Sequence, residues 1–167
     1  MKSSKLAIHL LPLLFVLPSL AGAADVIRHK LPNNSTFPIA AAVEIPAGKT
    51  MVYLSGKVPS VIDAKADKAS VAAYGNTEAQ TISVLGAIRD QLKGLDLGMG
   101  DVVKMQVFLV GDPANSGKMD FAGFMKGYTQ FFGTKEQPNL PVRSAMQVAA
   151  LANPGFLVEI EVTAVRP

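Results

Sequence analysis

Residues 138–151 read PNLPVRSAMQVAAL, and residues 157–165 read LVEIEVTAV. Strand side chains alternate between two faces. In the first run Val142, Ser144, Met146 and Val148 therefore share one side, and Arg143, Ala145 and Gln147 the other. In the second, Val158, Ile160, Val162 and Ala164 oppose Glu159, Glu161 and Thr163. The ANPG cluster at 152–155 is turn-forming, which predicts an antiparallel hairpin. In that hairpin Glu159 stands opposite Val148, roughly 17 Å along the strand from Arg143 at about 3.4 Å per residue. At that distance the two cannot share a small ligand within one chain; between neighbouring chains they can. A permanently charged guanidinium among alanine, methionine and valine needs a reason.

Working outward, Phe121, Phe124, Met125, Tyr128 and Phe131 form an aromatic stripe at helical spacing. This predicts a helix over about 118–132, ended by Gly133, whose stripe packs on an apolar layer. The run DVVKMQVFLV at 101–110 reads as a strand with Val103, Met105, Val107 and Leu109 on one face and Lys104 and Gln106 on the other. Thr77-Glu78-Ala79-Gln80 has the capping-box pattern, in which threonine and glutamine satisfy free amides reciprocally. Ile82, Leu85, Ile88 and Leu92 continue as an apolar stripe, and Gly94 suits a left-handed terminus. Residues 39–45 and 50–58 read as strands joined by a hairpin turn at 46–49. Residues 59–74 read as a solvated loop, and 24–36 as a loose N-terminal segment.

The order is β-β-α-β-α-β-β. One apolar stripe per helix and one apolar face per strand make an α+β fold of two layers, a mixed sheet with both helices on one face. The opposite face then carries Lys104, Gln106, Glu159, Glu161 and Thr163, joined by Arg143, Ala145 and Gln147 from the hairpin. Such a face is either wet or covered by other subunits. Small residues on it favour covering.

The first residues are set apart. Lys2 and Lys5 precede the apolar run LAIHLLPLLFVLPSL, and Ala21-Gly22-Ala23 is a small-residue cleavage pattern. A membrane helix needs about 20 uninterrupted apolar residues, and this run contains Pro12 and Pro18. Residues 1–23 read as a secretory signal peptide cut after Ala23, so the protein is expected to be exported, periplasmic or secreted, without stable membrane insertion afterwards. The leader holds two of the 16 basic residues and none of the 13 acidic ones. The remainder carries a net charge of about +1, too little to drive phosphate binding, and nucleic acid is not an expected partner. With no cysteine, packing alone holds the chain. The two histidines, His9 and His29, lie in the leader and the N-terminal segment, which offers no histidine metal cluster or serine triad. Gly98-Met99-Gly100 follows a helix, not a strand, and reads as a turn.

PVRSAMQVAAL followed by LVEIEVTAV resembles the closing signature of the Rid (YjgF-like) family of reactive imine and enamine deaminases. YLSGKVP, VVKMQVFLV and GYTQFF resemble its second strand, central strand and second helix, so the resemblance spans residues 37–167 as one Rid-like domain. It implies a chorismate-mutase-like α/β fold, a homotrimer with sites between subunits, and cofactor-independent hydrolysis of 2-imino acids to 2-oxo acids and ammonia. By position, Arg143 matches the arginine that holds the substrate carboxylate, and Glu159 the acid linked to the attacking water. Glu161 shares its parity. Ser55 and Gly56 match site-lining residues, and Tyr128 falls in the helix that borders the cleft. Two positions depart from the pattern: Ile39 stands where deaminases usually carry tyrosine, and Ala145 where cysteine is frequent. A non-catalytic protein that binds a carboxylate metabolite is the alternative reading.

Overall fold

The computed structural model describes residues 25–167. The leader and its cleavage site lie outside the described residues. In chain order the elements are β1 (Ile27–His29), β2 (Ala42–Glu44), β3 (Met51–Lys57), α1 (Thr77–Lys93), β4 (Val102–Val110), α2 (Phe121–Tyr128), β5 (Val142–Val148) and β6 (Val158–Val165). Among the described residues no helix is long and apolar enough to cross a membrane.

The main sheet runs β3-β6-β4-β5. Strands β4 and β5 are parallel, while β6 is antiparallel to both β3 and β4. The expected β5–β6 hairpin does not form. The connection between them is instead taken over by helix α1. The buried Gln80 amide donates to the Gly75 and Gly155 carbonyls, both at 2.9 Å, and its oxygen accepts from the Leu157 amide at 2.7 Å. The Leu157 carbonyl in turn accepts from the Val110 amide. These bonds draw the chain past the end of β4 and insert β6 in the middle of the sheet.

Gln80 is therefore not a capping-box partner. The cap of α1 is Asn76, whose side chain accepts from the Ala79 amide at 2.9 Å. Gly94 is right-handed (φ −67), and Asp96 two residues later takes the left-handed turn (φ 55). Helix α2 is shorter than the aromatic stripe suggests, at eight residues, and the Asp120 side chain caps it by accepting from the Gly123 amide.

The N-terminal segment is not loose throughout. Strand β1 pairs with β2, so residues 42–44 find their partner there rather than in β3. The Arg28 guanidinium fastens this ribbon by donating to the Gly100 carbonyl at 2.8 Å. The turn at 46–49 exists, with Gly48 at φ +85, but the strands it joins do not pair. Tyr74 is also buried rather than solvated.

Both helices cover one face. Val84, Leu85, Ile88 and Leu92 of α1, with Phe124 and Tyr128 of α2, meet Met105, Val107, Leu109, Ile160 and Val162 in one buried cluster. The α1 stripe is rotated from the predicted one, with Val84 buried and Ile82 only half-buried. Truncating one such side chain, as in Ile88→Ala, costs about 2–5 kcal/mol.

Candidate functional site

The parallel register of β4 and β5 decides where Arg143 points. Met105, Val107 and Leu109 are fully buried under the helices, and their partners on β5 are Arg143, Ala145 and Gln147. Register partners share a face, so these three residues lie on the helix side of the sheet. Their expected place on the open face is overturned. Ala145 is small because α2 packs over that side, and Gln147 accepts from the Met119 amide just ahead of α2. The open face carries Val142, Ser144 and Met146 instead, level with Lys104, Gln106 and Phe108.

At the sheet edge the Arg143 guanidinium sits among four rings. Its central carbon is 4.3 Å from the Tyr128 ring centre, 5.0 Å from Phe124, 5.4 Å from Phe37 and 5.8 Å from Phe121. Each such contact is worth about 0.5–2 kcal/mol, more where water is excluded. The ion pairs among the described residues are His29–Glu44 and Arg89–Asp90, so no carboxylate answers Arg143. Its Nη1 is shielded from solvent and has no hydrogen-bond partner. A buried donor left unmade costs about 1–3 kcal/mol, more for a charged group. Burial lowers the Arg143 pKa below the usual arginine range, and the neighbouring Tyr128 works against that shift. The arrangement is a caged cation that lacks an anion.

Tyr128 is part of the cage and not of an open lining. It is fully buried, and its hydroxyl donates to the Pro38 carbonyl at 2.8 Å. Burial pushes its pKa up to about 12, although Arg143 pulls the other way. Tyr128 thus fixes both the guanidinium and the 37–41 segment. The Ala40 amide binds the Pro141 carbonyl, which lays that segment beside the start of β5. A cleft of about 220 Å³ opens there, lined among others by Leu31, Ile39, Lys104, Val142, Arg143 and Ser144.

Glu159 lies elsewhere. Its register partner on β4 is Phe108, which in turn pairs with Met146 on β5. It is therefore two strands and three residues from Arg143, on the order of 14 Å between Cα atoms, and on the other face. The hairpin estimate placed it wrongly, yet the separation remains too large for one small ligand. Gly56 does join Glu159: the β3–β6 register shifts between Leu54 and Lys57, and a Cβ added at Gly56 would overlap the Glu159 carboxylate. Glu161 faces a second depression with Tyr53, Ser55, Lys104, Gln106 and Thr163. Sequence-predicted residues thus fall into separate groups, Arg143 with Tyr128, Glu159 with Gly56, and Ser55 with Glu161. Lys104 lines both the Arg143 cleft and the Glu161 depression.

Phe37, Phe121 and Phe124 were not foreseen as companions of Arg143. The stripe carrying two of them was visible, but its neighbour across the sheet depended on the parallel register. Among the described residues no cluster of three or more histidine or acidic side chains is placed to hold a metal.

The family described as Endoribonuclease L-PSP matches residues 38–166. A RutC family protein in the leuC 5' region of Leuconostoc mesenteroides subsp. cremoris is 34% identical over 115 residues, covering 69% of this chain and 79% of that protein. The crystal structure of Escherichia coli TdcF with bound serine is similar at 28% identity and a TM-score of 0.55, covering 80% of this chain and 91% of that one. The conserved Rid protein YyfB from Yersinia pestis, 24% identical, shares the fold with a TM-score of 0.61, over 83% of this chain and 98% of its own.

Proposed function

Because the chain belongs to the endoribonuclease L-PSP (YjgF/Rid) family, we propose that it hydrolyses 2-imino acids to 2-oxo acids and ammonia without a cofactor, after export and cleavage following Ala23. The observation that carries this reading is the Arg143 guanidinium, caged by rings, with no carboxylate partner and a buried, unpartnered Nη1. A planar guanidinium grips a carboxylate through two parallel hydrogen bonds. That grip fixes the adjacent imine carbon. The relative TdcF is described with serine bound, a ligand that also has a carboxylate next to a nitrogen-bearing carbon.

The reaction asks little more. An iminium carbon is already electrophilic. Glu159 takes one proton from water as the hydroxide adds to that carbon, and returns it to the nitrogen. The carbinolamine then loses its hydroxyl proton as the C–N bond breaks, leaving a 2-oxo acid and ammonium. General-base help of this kind is worth about 10²–10⁴-fold. Since Arg143 and Glu159 stand on opposite faces of one protomer, the proposal includes a homotrimer in which one subunit's Arg143 meets its neighbour's Glu159. Tyr53, 75% exposed on the open face, and Met146, exposed on the same face at the opposite sheet edge, are apolar surface suited to such covering.

The second reading is a non-catalytic protein that binds a carboxylate metabolite. The same separation of Arg143 from Glu159 favours it if the subunits do not assemble. Ribonuclease action is disfavoured by the near-neutral charge beyond the leader. Ammonia release from imines generated in situ by an amino-acid oxidase tests the choice. Release faster than the spontaneous rate supports the enzyme; 2-oxo acid binding without release selects the binder.

A further inference from the structure

We infer that the ligand held at Arg143 carries a bulky apolar side chain, a branched or aromatic 2-imino or 2-oxo acid rather than a small or polar one. This rests on the carboxylate reading of Arg143 and adds the part of the ligand beyond the carboxylate. The Arg143 cleft does not end at the guanidinium. Leu31, Ile39 and Ala40 line it and also line an adjoining larger cleft of about 330 Å³. The two meet along these three apolar residues. Phe37 and Leu140 extend the apolar wall of the larger cleft, and Phe37 remains 40% exposed while its ring faces the guanidinium.

The larger cleft also has basic residues on its rim, which raises the rival of a second anionic group on the ligand. Two of them are partly or wholly engaged, while Lys30 is free at the rim among the described residues, so the apolar reading requires that 2-oxoglutarate, with its second carboxylate, bind more weakly than 4-methyl-2-oxopentanoate. Arg28 donates to the Gly100 and Val102 carbonyls. His29 is engaged by Glu44 at 2.6 Å. Leu31, Phe37, Ile39, Ala40 and Leu140 give the ligand an apolar wall beside Arg143, and an apolar wall rewards each methylene buried on it by about fourfold in affinity.

The test is a calorimetric series on the purified protein with pyruvate, 2-oxobutanoate, 4-methyl-2-oxopentanoate and phenylpyruvate. Affinity is expected to rise along the series, by tenfold or more from pyruvate to 4-methyl-2-oxopentanoate, which adds three carbons and at about fourfold each allows roughly 60-fold. Ile39→Thr and Leu31→Ser should each shrink that ratio severalfold. If Ile39→Thr loses its native circular dichroism, Leu31→Ser, outside the strands and helices of the fold, decides. Equal affinities along the series, tighter binding of pyruvate, or a ratio unmoved by either variant overturns the side-chain assignment and leaves Arg143 standing as a carboxylate site. Failure of every acid to bind overturns both.

Discussion

Arg143 and Glu159 occupy opposite faces of the same sheet, because their register partners on β4, Met105 and Phe108, are three residues apart. A mechanism that uses both must bring them from different protomers. This relationship organises the mutational expectations.

Arg143→Lys should weaken 2-oxo acid binding severely, since an ammonium cannot make the two-pronged grip. A carboxylate left without its charged partner in a partly buried cleft costs about 2–5 kcal/mol. Titration calorimetry measures the loss, and size-exclusion of Arg143→Ala shows whether assembly survives. A mutant that binds normally, or that falls into monomers, makes Arg143 a structural residue.

Glu159→Gln should lower turnover by about 10²–10⁴-fold while leaving 2-oxo acid binding nearly intact, as befits a group acting on water. The ammonia assay run beside calorimetry separates the two. Unchanged turnover would shift the role to Glu161.

Gly56→Ala should mimic that loss without touching a charge. The new Cβ collides with the Glu159 carboxylate and displaces it, and a misplacement of about 1 Å can cost about 10²-fold. Full activity in this variant would show that the carboxylate is free to work from elsewhere.

Assembly is itself measurable. Light scattering should give three protomer masses for the protein, and a stable monomer at micromolar concentration would remove the shared site.

Tyr128 predicts an alkaline signature. Its phenol is pushed up from 10.0 to about 12 by burial, so the folded state holds the proton more tightly than the unfolded one. The associated stability is complete below about pH 10 and is lost as pH rises toward about 12. The span amounts to about 2–3 kcal/mol. Urea unfolding at pH 9 and pH 11.5 should show a steeper fall for the native sequence than for Tyr128→Phe. Parallel falls would mean that Tyr128 reaches solvent.

Much of this was legible in the sequence. Periodicity located both helices and the main strands, and apolar stripes correctly put the helices on one face. The residues that resemble the family's site were readable too, but their grouping was not. Turn chemistry at 152–155 pointed to a local hairpin, and the long-range bonds of Gln80 overrode it. Once β5 paired parallel to β4, Arg143, Ala145 and Gln147 changed sides together, because alternation carries a whole strand with it. Similarly, nothing local marks 27–29 as a strand; three residues acquire that structure only by meeting β2 and the Arg28 anchor.

The last strand in the chain lies inside the sheet, between β3 and β4. Until β6 arrives, β3 has no partner in the main sheet and Glu159 has no Gly56 to lie against. The Gln80–Leu157 bond spans 77 positions, so this closure is non-local and slows folding through its loop-closure entropy. Deleting β6 should therefore abolish the fold rather than trim it, because β3 and β4 meet only through it.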